Sequence, residues 1–84
     1  MKIQVRYFAS LREALGSGEI VEAAAAATTV AALREQLIQR GGLHAEALSR
    51  ARAVRCALDQ TMCDEAAALR DGAELAFFPP VTGG

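Results

Sequence analysis

The sequence is poor in the residues that build catalytic and metal sites. Its 84 residues include no tryptophan, one histidine and two cysteines, and many of its apolar residues are alanine. Cys56 and Cys63 are seven positions apart, which is not the C-x-x-C spacing of a zinc site or a thioredoxin-type redox pair. We therefore expect no metal site and no deep catalytic cleft. Cys56 is predicted to be a small buried hydrophobe, Cys63 to be partly exposed, and His44 to be solvated in a loop.

The net charge and the lack of a long apolar run argue against a nucleic-acid-binding protein and a membrane-spanning protein. The net charge is −1, so the chain shows no electrostatic signature of a nucleic-acid partner. The run of alanines at positions 23–27 is far short of the roughly 20 apolar residues of a membrane span. The first residues enter a strand-like pattern with no signal-peptide core, so a cytoplasmic location is expected.

The first third of the chain has a pattern of alternating apolar and polar residues, followed by a short helical turn and a second strand. Over residues 2–8 the side chains of Ile3, Val5 and Tyr7 face one way, while those of Lys2, Gln4, Arg6 and Phe8 face the other, which predicts a half-buried strand. Residues 9–15 predict a short helical turn with Ser10 as N-cap and Glu13 as its capping-box partner. A glycine-rich turn at 16–18 then leads into a second strand over 19–23, antiparallel to the first.

One main helix follows. Thr28 and Thr29 offer N-capping oxygens, and Gly41 and Gly42 end the helix. Its apolar side carries Val30, Leu33, Leu37 and Ile38, and its predicted polar side carries Arg34, Glu35, Gln36, Gln39 and Arg40. The apolar side predicts a core-facing stripe.

The second half contains short elements. Residues 43–50 predict a short helix or loop, 52–58 a strand, 59–60 a turn, 61–63 a return strand and 66–69 a helical turn. Asp71-Gly72 is a turn signal before a final strand over 73–78. The arginines at 50, 52 and 55 predict a solvated basic face, with an acidic partner surface as the alternative. We predict one α+β domain over residues 1–78, with a mixed four- to five-stranded sheet packed on one main helix.

The C-terminal tail (residues 79–84) has an unusual composition. Pro79 and Pro80 favour extended geometry, and the six residues can reach roughly 20 Å. Gly83 and Gly84 have no Cβ, so they can pass through a channel too narrow for other residues. Although such an ending arises by chance about once in 200 chains, its place after a strand and a proline stop predicts a flexible delivery arm.

Two segments carry a family resemblance. Residues 7–16 (YFASLREALG) and residues 71–84 (DGAELAFFPPVTGG) are similar to the F-A-x-x-R-E-x-x-G and D-G-x-E-V-A-F-F-P-P-V-x-G-G motifs of molybdopterin synthase small subunits. The resemblance implies a ubiquitin-like β-grasp fold and a sulfur carrier in molybdenum cofactor biosynthesis. In that family an E1-like enzyme uses ATP to adenylate the terminal glycine, and a sulfurtransferase supplies sulfur for a thiocarboxylate. The carrier then donates sulfur to cyclic pyranopterin monophosphate in the large subunit, within a heterotetramer.

The resemblance assigns roles to residues of this chain. Gly84 is expected to become the glycyl-adenylate and then 1-thioglycine, with Gly83 keeping its approach clear, and the chain itself is expected to bind no cofactor. In a β-grasp sheet the first and last strands are neighbours, so Phe8 and Phe78 are predicted to form an exposed apolar patch. The predicted partner surface comprises Phe8, Arg12, Met62, Phe78, Pro79, Pro80, Val81 and Thr82. The alternative is that one aromatic ring folds inward over the first helical turn.

Three other functions stay open from the sequence. A sibling carrier for thiamine or tRNA thiolation would use the same tail chemistry with a different acceptor. A ubiquitin-like modifier would instead join Gly84 to lysines through an isopeptide bond. A third carrier would hold sulfur as a persulfide on Cys63.

Overall fold

Five strands and three helices follow one another in the computed structural model, which describes residues 1–80. In chain order they are β1 (Lys2–Tyr7), α1 (Ala9–Leu15), β2 (Gly18–Glu22), α2 (Val30–Ile38), α3 (Gly42–Ala47), β3 (Arg55–Leu58), β4 (Thr61–Cys63) and β5 (Glu74–Phe78). The predicted elements are therefore present, except the helical turn at 66–69. None of the helices described is long and apolar enough to cross a membrane.

The strands form one mixed sheet in the order β2-β1-β5-β3-β4. The first and last strands pair in parallel, and the other neighbouring pairs are antiparallel. A parallel pair needs a long crossover connection, and here the chain between β1 and β5 contains all three helices. This arrangement confirms the predicted α+β fold with a five-stranded sheet.

The core lies between one face of the sheet and α2. Alternation places Ile3, Val5 and Tyr7 of β1 inward with exposures of 0–1%, and Leu75 and Phe77 of β5 are fully buried beside them. The helical stripe Val30, Leu33 and Leu37 is also fully buried. The predicted inward and outward faces of both strands are confirmed.

The start of α1 differs from the prediction. Its N-cap is Phe8, with no side-chain cap, and Ser10 lies inside the first turn. The backbone explains this, because the Leu11 and Arg12 N–H groups donate to the Phe8 carbonyl oxygen at 3.1 and 3.3 Å. The helix therefore begins at Ala9, two residues earlier than a Ser10 cap would allow.

The predicted helical turn at 66–69 is wrong. Ala68 instead forms an antiparallel bridge with Thr29. The Val30 and Ala31 N–H groups at the start of α2 donate to the carbonyl oxygens of Ala67 and Glu65, at 3.1 and 2.9 Å. The extended segment thus satisfies helix donors that have no partner within the helix, and this gain outweighs the helix propensity of alanine. The predicted Thr29 cap is confirmed, since its hydroxyl accepts from the Ala32 N–H at 3.2 Å.

Arg34 is the main correction on α2. The sequence predicts an exposed polar position, but the residue is only 3% exposed. Its guanidinium donates to the carbonyl oxygens of Leu48, Ser49 and Arg52 at 2.9, 2.8 and 3.2 Å, and to the Glu65 carboxylate at 2.9 Å. A charge can be buried here because four acceptors replace its water.

The Arg50 side chain is 49% exposed, as predicted for a solvated face, but it also makes contacts with the protein. It donates to the Glu65 carboxylate at 2.7 Å and to the Ala31 carbonyl oxygen at 3.0 Å. Arg52 and Arg55 are exposed, as predicted. All three arginines of the basic cluster are therefore exposed, and Arg50 in addition hydrogen-bonds to Ala31 and Glu65.

His44 belongs to α3 and not to a solvated loop. It lies 3.2 Å from the Glu19 carboxylate, which also accepts from Arg40 at 2.7 Å and from the Tyr7 hydroxyl at 3.1 Å. Burial raises the pKa of Glu19, but the hydrogen bonds from Arg40, His44 and Tyr7 outweigh it and hold that pKa below its ordinary value. Burial, followed by the Glu19 charge, raises the pKa of Tyr7. This cluster ties β1, β2, α3 and the turn that follows α2 together.

Candidate partner-docking groove

The parallel pairing of β1 and β5 brings two aromatic residues side by side. Tyr7 and Phe77 are register partners, and the Phe8 N–H donates to the Phe77 carbonyl oxygen at 3.1 Å. The next residues, Phe8 and Phe78, then point to the outer face of the sheet. Phe8 is 41% exposed and Phe78 is half-buried, so neither ring has folded into the core.

Between these rings lies an open, largely apolar groove of about 670 Å³. Its floor contains Ala76 and Ala57, which are register partners on β5 and β3. Their methyl groups leave the depth that larger side chains would fill. The full lining is Phe8, Ala9, Ala57, Gln60, Glu74, Ala76, Phe78, Pro79 and Pro80. We call this surface the docking groove.

Met62 extends the apolar surface beyond the groove. It is 57% exposed and pairs with Ala57 across β3 and β4. Exposed large apolar side chains beside an apolar groove are typical of an interaction surface. The structure therefore brings Phe8, Phe78 and Met62 to one face of the sheet, and their role in partner binding stays a prediction.

Charged side chains border the docking groove. The Arg6 guanidinium lies 5.9 Å from the Phe8 ring centroid and 4.0 Å from the Glu74 carboxylate. Arg55 is exposed and in register with Phe78. Arg12 is exposed on α1 but does not line the groove, and it makes no ion pair within residues 1–80. Its assignment as a salt-bridge donor to a partner stays a prediction.

The chain leaves the sheet at the groove. Pro79 and Pro80 follow β5 directly and line its end. The remaining predicted site residues, Val81, Thr82, Gly83 and Gly84, lie outside the described part of the chain. The groove therefore adjoins the root of the segment that carries the Gly-Gly motif.

The chemistry available in the groove is mainly apolar contact. Glu74 is its one titratable lining residue within residues 1–80, and Arg6 already neighbours it. Across that same part of the chain no three His, Cys, Asp or Glu side chains are placed to share a metal ion. The arrangement is suited to apolar contact with a protein surface.

Sequence reasoning missed the floor and the border of the groove. Ala57 was predicted only as part of a strand, and its place beside Ala76 depends on the register of β3 against β5. The place of Ala76 in the floor could have been predicted from the alternation of side chains along β5, which puts Ala76 on the same side of the strand as Phe78. The position of Arg6 was likewise implied, because it shares a strand face with Phe8.

The strand order, the parallel first and last strands and the single core-facing main helix define a ubiquitin-like β-grasp protein. A family model described as the ThiS family matches residues 5–84. This match spans nearly the whole chain and includes the terminal Gly-Gly. The chain belongs to the ThiS family.

Individual relatives agree with that membership. The chain is 42% identical over 82 residues to the molybdopterin synthase sulfur carrier subunit of Escherichia coli strain K12, covering 98% of this chain and 99% of the relative. The resemblance stated from the two motifs is thereby confirmed.

Two solved structures share the fold. One is a protein–protein complex of subunits 1 and 2 of the molybdopterin-converting factor from Helicobacter pylori 26695, with a TM-score of 0.69, 27% identity and full coverage of both chains. The other is the H. volcanii small archaeal modifier protein 1, with a TM-score of 0.73, 26% identity and coverage of 95% of this chain and 98% of that chain.

Proposed function

We propose that this protein is a sulfur carrier in molybdenum cofactor biosynthesis. The observation that carries the proposal is the 42% identity, over 98% of the chain, to a molybdopterin synthase sulfur carrier subunit. The family match through residue 84 supports it further, because it includes the glycines that such a carrier would use. The proposed location is the cytoplasm, where ATP is available for activation.

In the proposed cycle the chemistry takes place at Gly84. An E1-like enzyme transfers AMP from ATP to the terminal carboxylate and releases pyrophosphate, because a carboxylate needs a leaving group before it can be attacked. The terminal sulfur of a sulfurtransferase persulfide then attacks the acyl carbon and displaces AMP, and a thiol reduces the resulting acyl disulfide to a thiocarboxylate. The thiocarboxylate sulfur is finally transferred to cyclic pyranopterin monophosphate in the large subunit, and two transfers complete the dithiolene.

The docking groove is the proposed binding surface for the large subunit. An apolar groove beside the root of the tail would hold the domain while Gly84 extends into the partner's active site. A complex of the two molybdopterin-converting factor subunits is known for the H. pylori relative, which supports a two-subunit assembly here. We propose a heterotetramer of two carriers and two large subunits.

The carrier role can be tested by reconstitution. The full chain is incubated with an E1-like enzyme, Mg-ATP and a sulfur donor, and then with the large subunit and cyclic pyranopterin monophosphate. Molybdopterin should form with the wild-type chain and with a variant in which both cysteines are replaced, but not after deletion of Gly83 and Gly84. Loss of product in the cysteine variant, with product retained after the deletion, would instead favour a persulfide carrier.

The docking groove needs a separate test. Phe78→Asp places a charge among apolar groups and should weaken binding to the large subunit by at least about tenfold, as expected for an interface residue worth more than about 1.4 kcal/mol. Ile20→Asp is the matched control, since Ile20 is 69% exposed on β2 and lies outside the groove. Calorimetric titration of both folded variants gives the affinities. Equal affinities for the two variants would show that the groove is not the docking surface.

A second candidate function is protein modification. It is favoured by the structural similarity to the H. volcanii small archaeal modifier protein 1. In that case the activated Gly84 would be attacked by a lysine amine and form an isopeptide bond. Peptide mass spectrometry of the host proteome distinguishes the two functions, because a modifier leaves its C-terminal residues attached to lysines of other proteins.

A further inference from the structure

Two thiols that the proposed carrier chemistry does not use lie beside each other on the last two strands of the sheet. Cys56 on β3 and Cys63 on the edge strand β4 are register partners, and their sulfur atoms are 3.6 Å apart. Cys56 is 4% exposed, while Cys63 is half-buried at the surface. Both are free thiols in this structure.

The backbone already has the geometry that a disulfide needs. Facing residues of antiparallel strands have Cα atoms about 4.5–5.5 Å apart, which lies within the range of about 4.4–6.8 Å found for disulfides. The register is held by the two-residue turn Asp59-Gln60, whose φ values of 48° and 68° are those of a type I′ hairpin. The sulfur atoms must approach from 3.6 Å to a bond length of about 2.05 Å, which side-chain rotation can largely supply.

We propose that Cys56 and Cys63 are a redox modification site. A small-molecule disulfide oxidises the two thiols to an intramolecular disulfide, which is reversible and links β4 covalently to β3 in the sheet. In the first step the Cys63 thiolate attacks one sulfur of the small disulfide, forming a mixed disulfide and releasing one small thiolate. In the second step Cys56 loses its proton to solvent, and its sulfur attacks the Cys63 sulfur and releases the second small thiol. Two protein thiols are oxidised and one small disulfide is reduced.

The different exposures of the two thiols determine which of them reacts first. An open cleft of about 620 Å³ is lined by both cysteines and by Arg55, Met62 and Asp64 among others. Because Cys56 is only 4% exposed, a small molecule that enters the cleft reaches Cys63 first. Burial, and then the hydrogen bond with Cys63, raise the pKa of Cys56 to about 12. Cys56 is therefore a poor first nucleophile and acts as the resolving thiol, 3.6 Å from the sulfur it must attack.

The bond would act on an otherwise weakly held part of the fold. Strand β4 has three residues and a single neighbour in the sheet, β3. The same hairpin supplies Ala57 and Gln60 to the docking groove, with Met62 beside it. A disulfide between Cys56 and Cys63 thus restrains one wall of that groove, although its formation does not depend on the carrier function.

The test uses the full chain and bis(2-hydroxyethyl) disulfide, a neutral oxidant of known composition. After acid quenching and alkylation, the oxidised protein should have lost the mass of two hydrogen atoms, take up no alkylating agent and return to the dithiol with excess reductant. Cys56→Ala should stop at a mixed disulfide on Cys63, and Cys63→Ser should not react. A stable mixed disulfide in the wild-type chain, a disulfide-linked dimer or an unreactive Cys63 would each overturn the proposal.

A second measurement tests whether the disulfide stabilises the fold and restrains β4. The oxidised chain should unfold at a midpoint roughly 5–15 °C above that of the reduced chain, since a disulfide lowers the conformational entropy of the unfolded chain. Hydrogen exchange of the β4 amides should slow in parallel. Equal midpoints and equal exchange would show that the bond forms without restraining the hairpin, which would refute this part of the proposal.

Discussion

Replacement of Arg34 by methionine is the sharpest test of how this fold is held together. Methionine keeps the length and helix propensity of the side chain but removes the charge and all of its donors. Three backbone carbonyl oxygens and one carboxylate oxygen of Glu65 then lose their partner. Glu65 keeps the Arg50 guanidinium at 2.7 Å, so its charge is not left isolated.

The expected loss follows from the burial of these groups. Adding about 1.5–3 kcal/mol for each of the four charge-assisted hydrogen bonds would overestimate the loss of stability. The reason is that Glu65 is 31% exposed, so water can replace part of what the guanidinium supplied. The cost comes mainly from the three carbonyl oxygens, because each buried acceptor left without a donor costs about 1–3 kcal/mol; we expect a total loss of about 3–5 kcal/mol. A domain of this size has a free energy of unfolding of roughly 4–12 kcal/mol, so the variant should be close to unfolding.

Urea denaturation followed by circular dichroism gives the free energy of unfolding, and a thermal scan should show a midpoint about 15 °C or more below that of the wild type. The matched control is Arg70→Met, because Arg70 is 82% exposed and its ion pair with Asp59 measures 3.6 Å. That control should lose less than about 1 kcal/mol. If the two variants lose similar amounts, the Arg34 network does not stabilise the fold and our reasoning is refuted.

Three further substitutions test other contacts. Gly18→Ala should cost about 1–3 kcal/mol in urea denaturation, because its Cβ would lie 2.5 Å from the backbone oxygen of Val5, whereas Ser17→Ala next to it should be nearly neutral. Thr29→Ala should lose about 1 kcal/mol through the missing N-cap, and an unchanged stability would contradict that role. Folding lowers the pKa of Glu19, so the ionised Glu19 side chain stabilises the fold above about pH 4.5, and this stabilisation is lost as the pH falls through the pKa of the folded protein. Glu19→Gln should therefore flatten the acid part of the plot of unfolding free energy against pH. An unaltered plot would contradict the assigned cluster.

The strands and the main helix were predictable because local periodicity controls them. Alternation over β1 and β5 identified the buried side chains, and the threonines before α2 identified its cap. The patch of Phe8 and Phe78 followed once the first and last strands were expected to be neighbours. These features depend on short segments and one topological rule.

The errors concern residues whose partners are distant in the sequence. Arg34 has the pattern of an exposed helical position, and its acceptors come from loops 14 to 31 residues away. The segment 66–69 has helix propensity, but the free donors at the start of α2 draw it into an extended bridge. No local pattern reports such long-range hydrogen bonds.

The cysteine pair is an intermediate case. A spacing of seven excluded a metal site, but positions 56 and 63 are placed symmetrically about the predicted turn at 59–60. A two-residue hairpin makes such positions register partners, so their facing arrangement could have been predicted. The distance between the sulfur atoms required the structure.

The most direct test of the central claim is the intact mass of the protein isolated from its native host, with fragmentation of the C-terminus. The proposed carrier predicts a population in which one oxygen is replaced by sulfur, with the change localised to Gly84. An unmodified Gly84, even after incubation with ATP, an E1-like enzyme and a sulfur donor, would contradict the account.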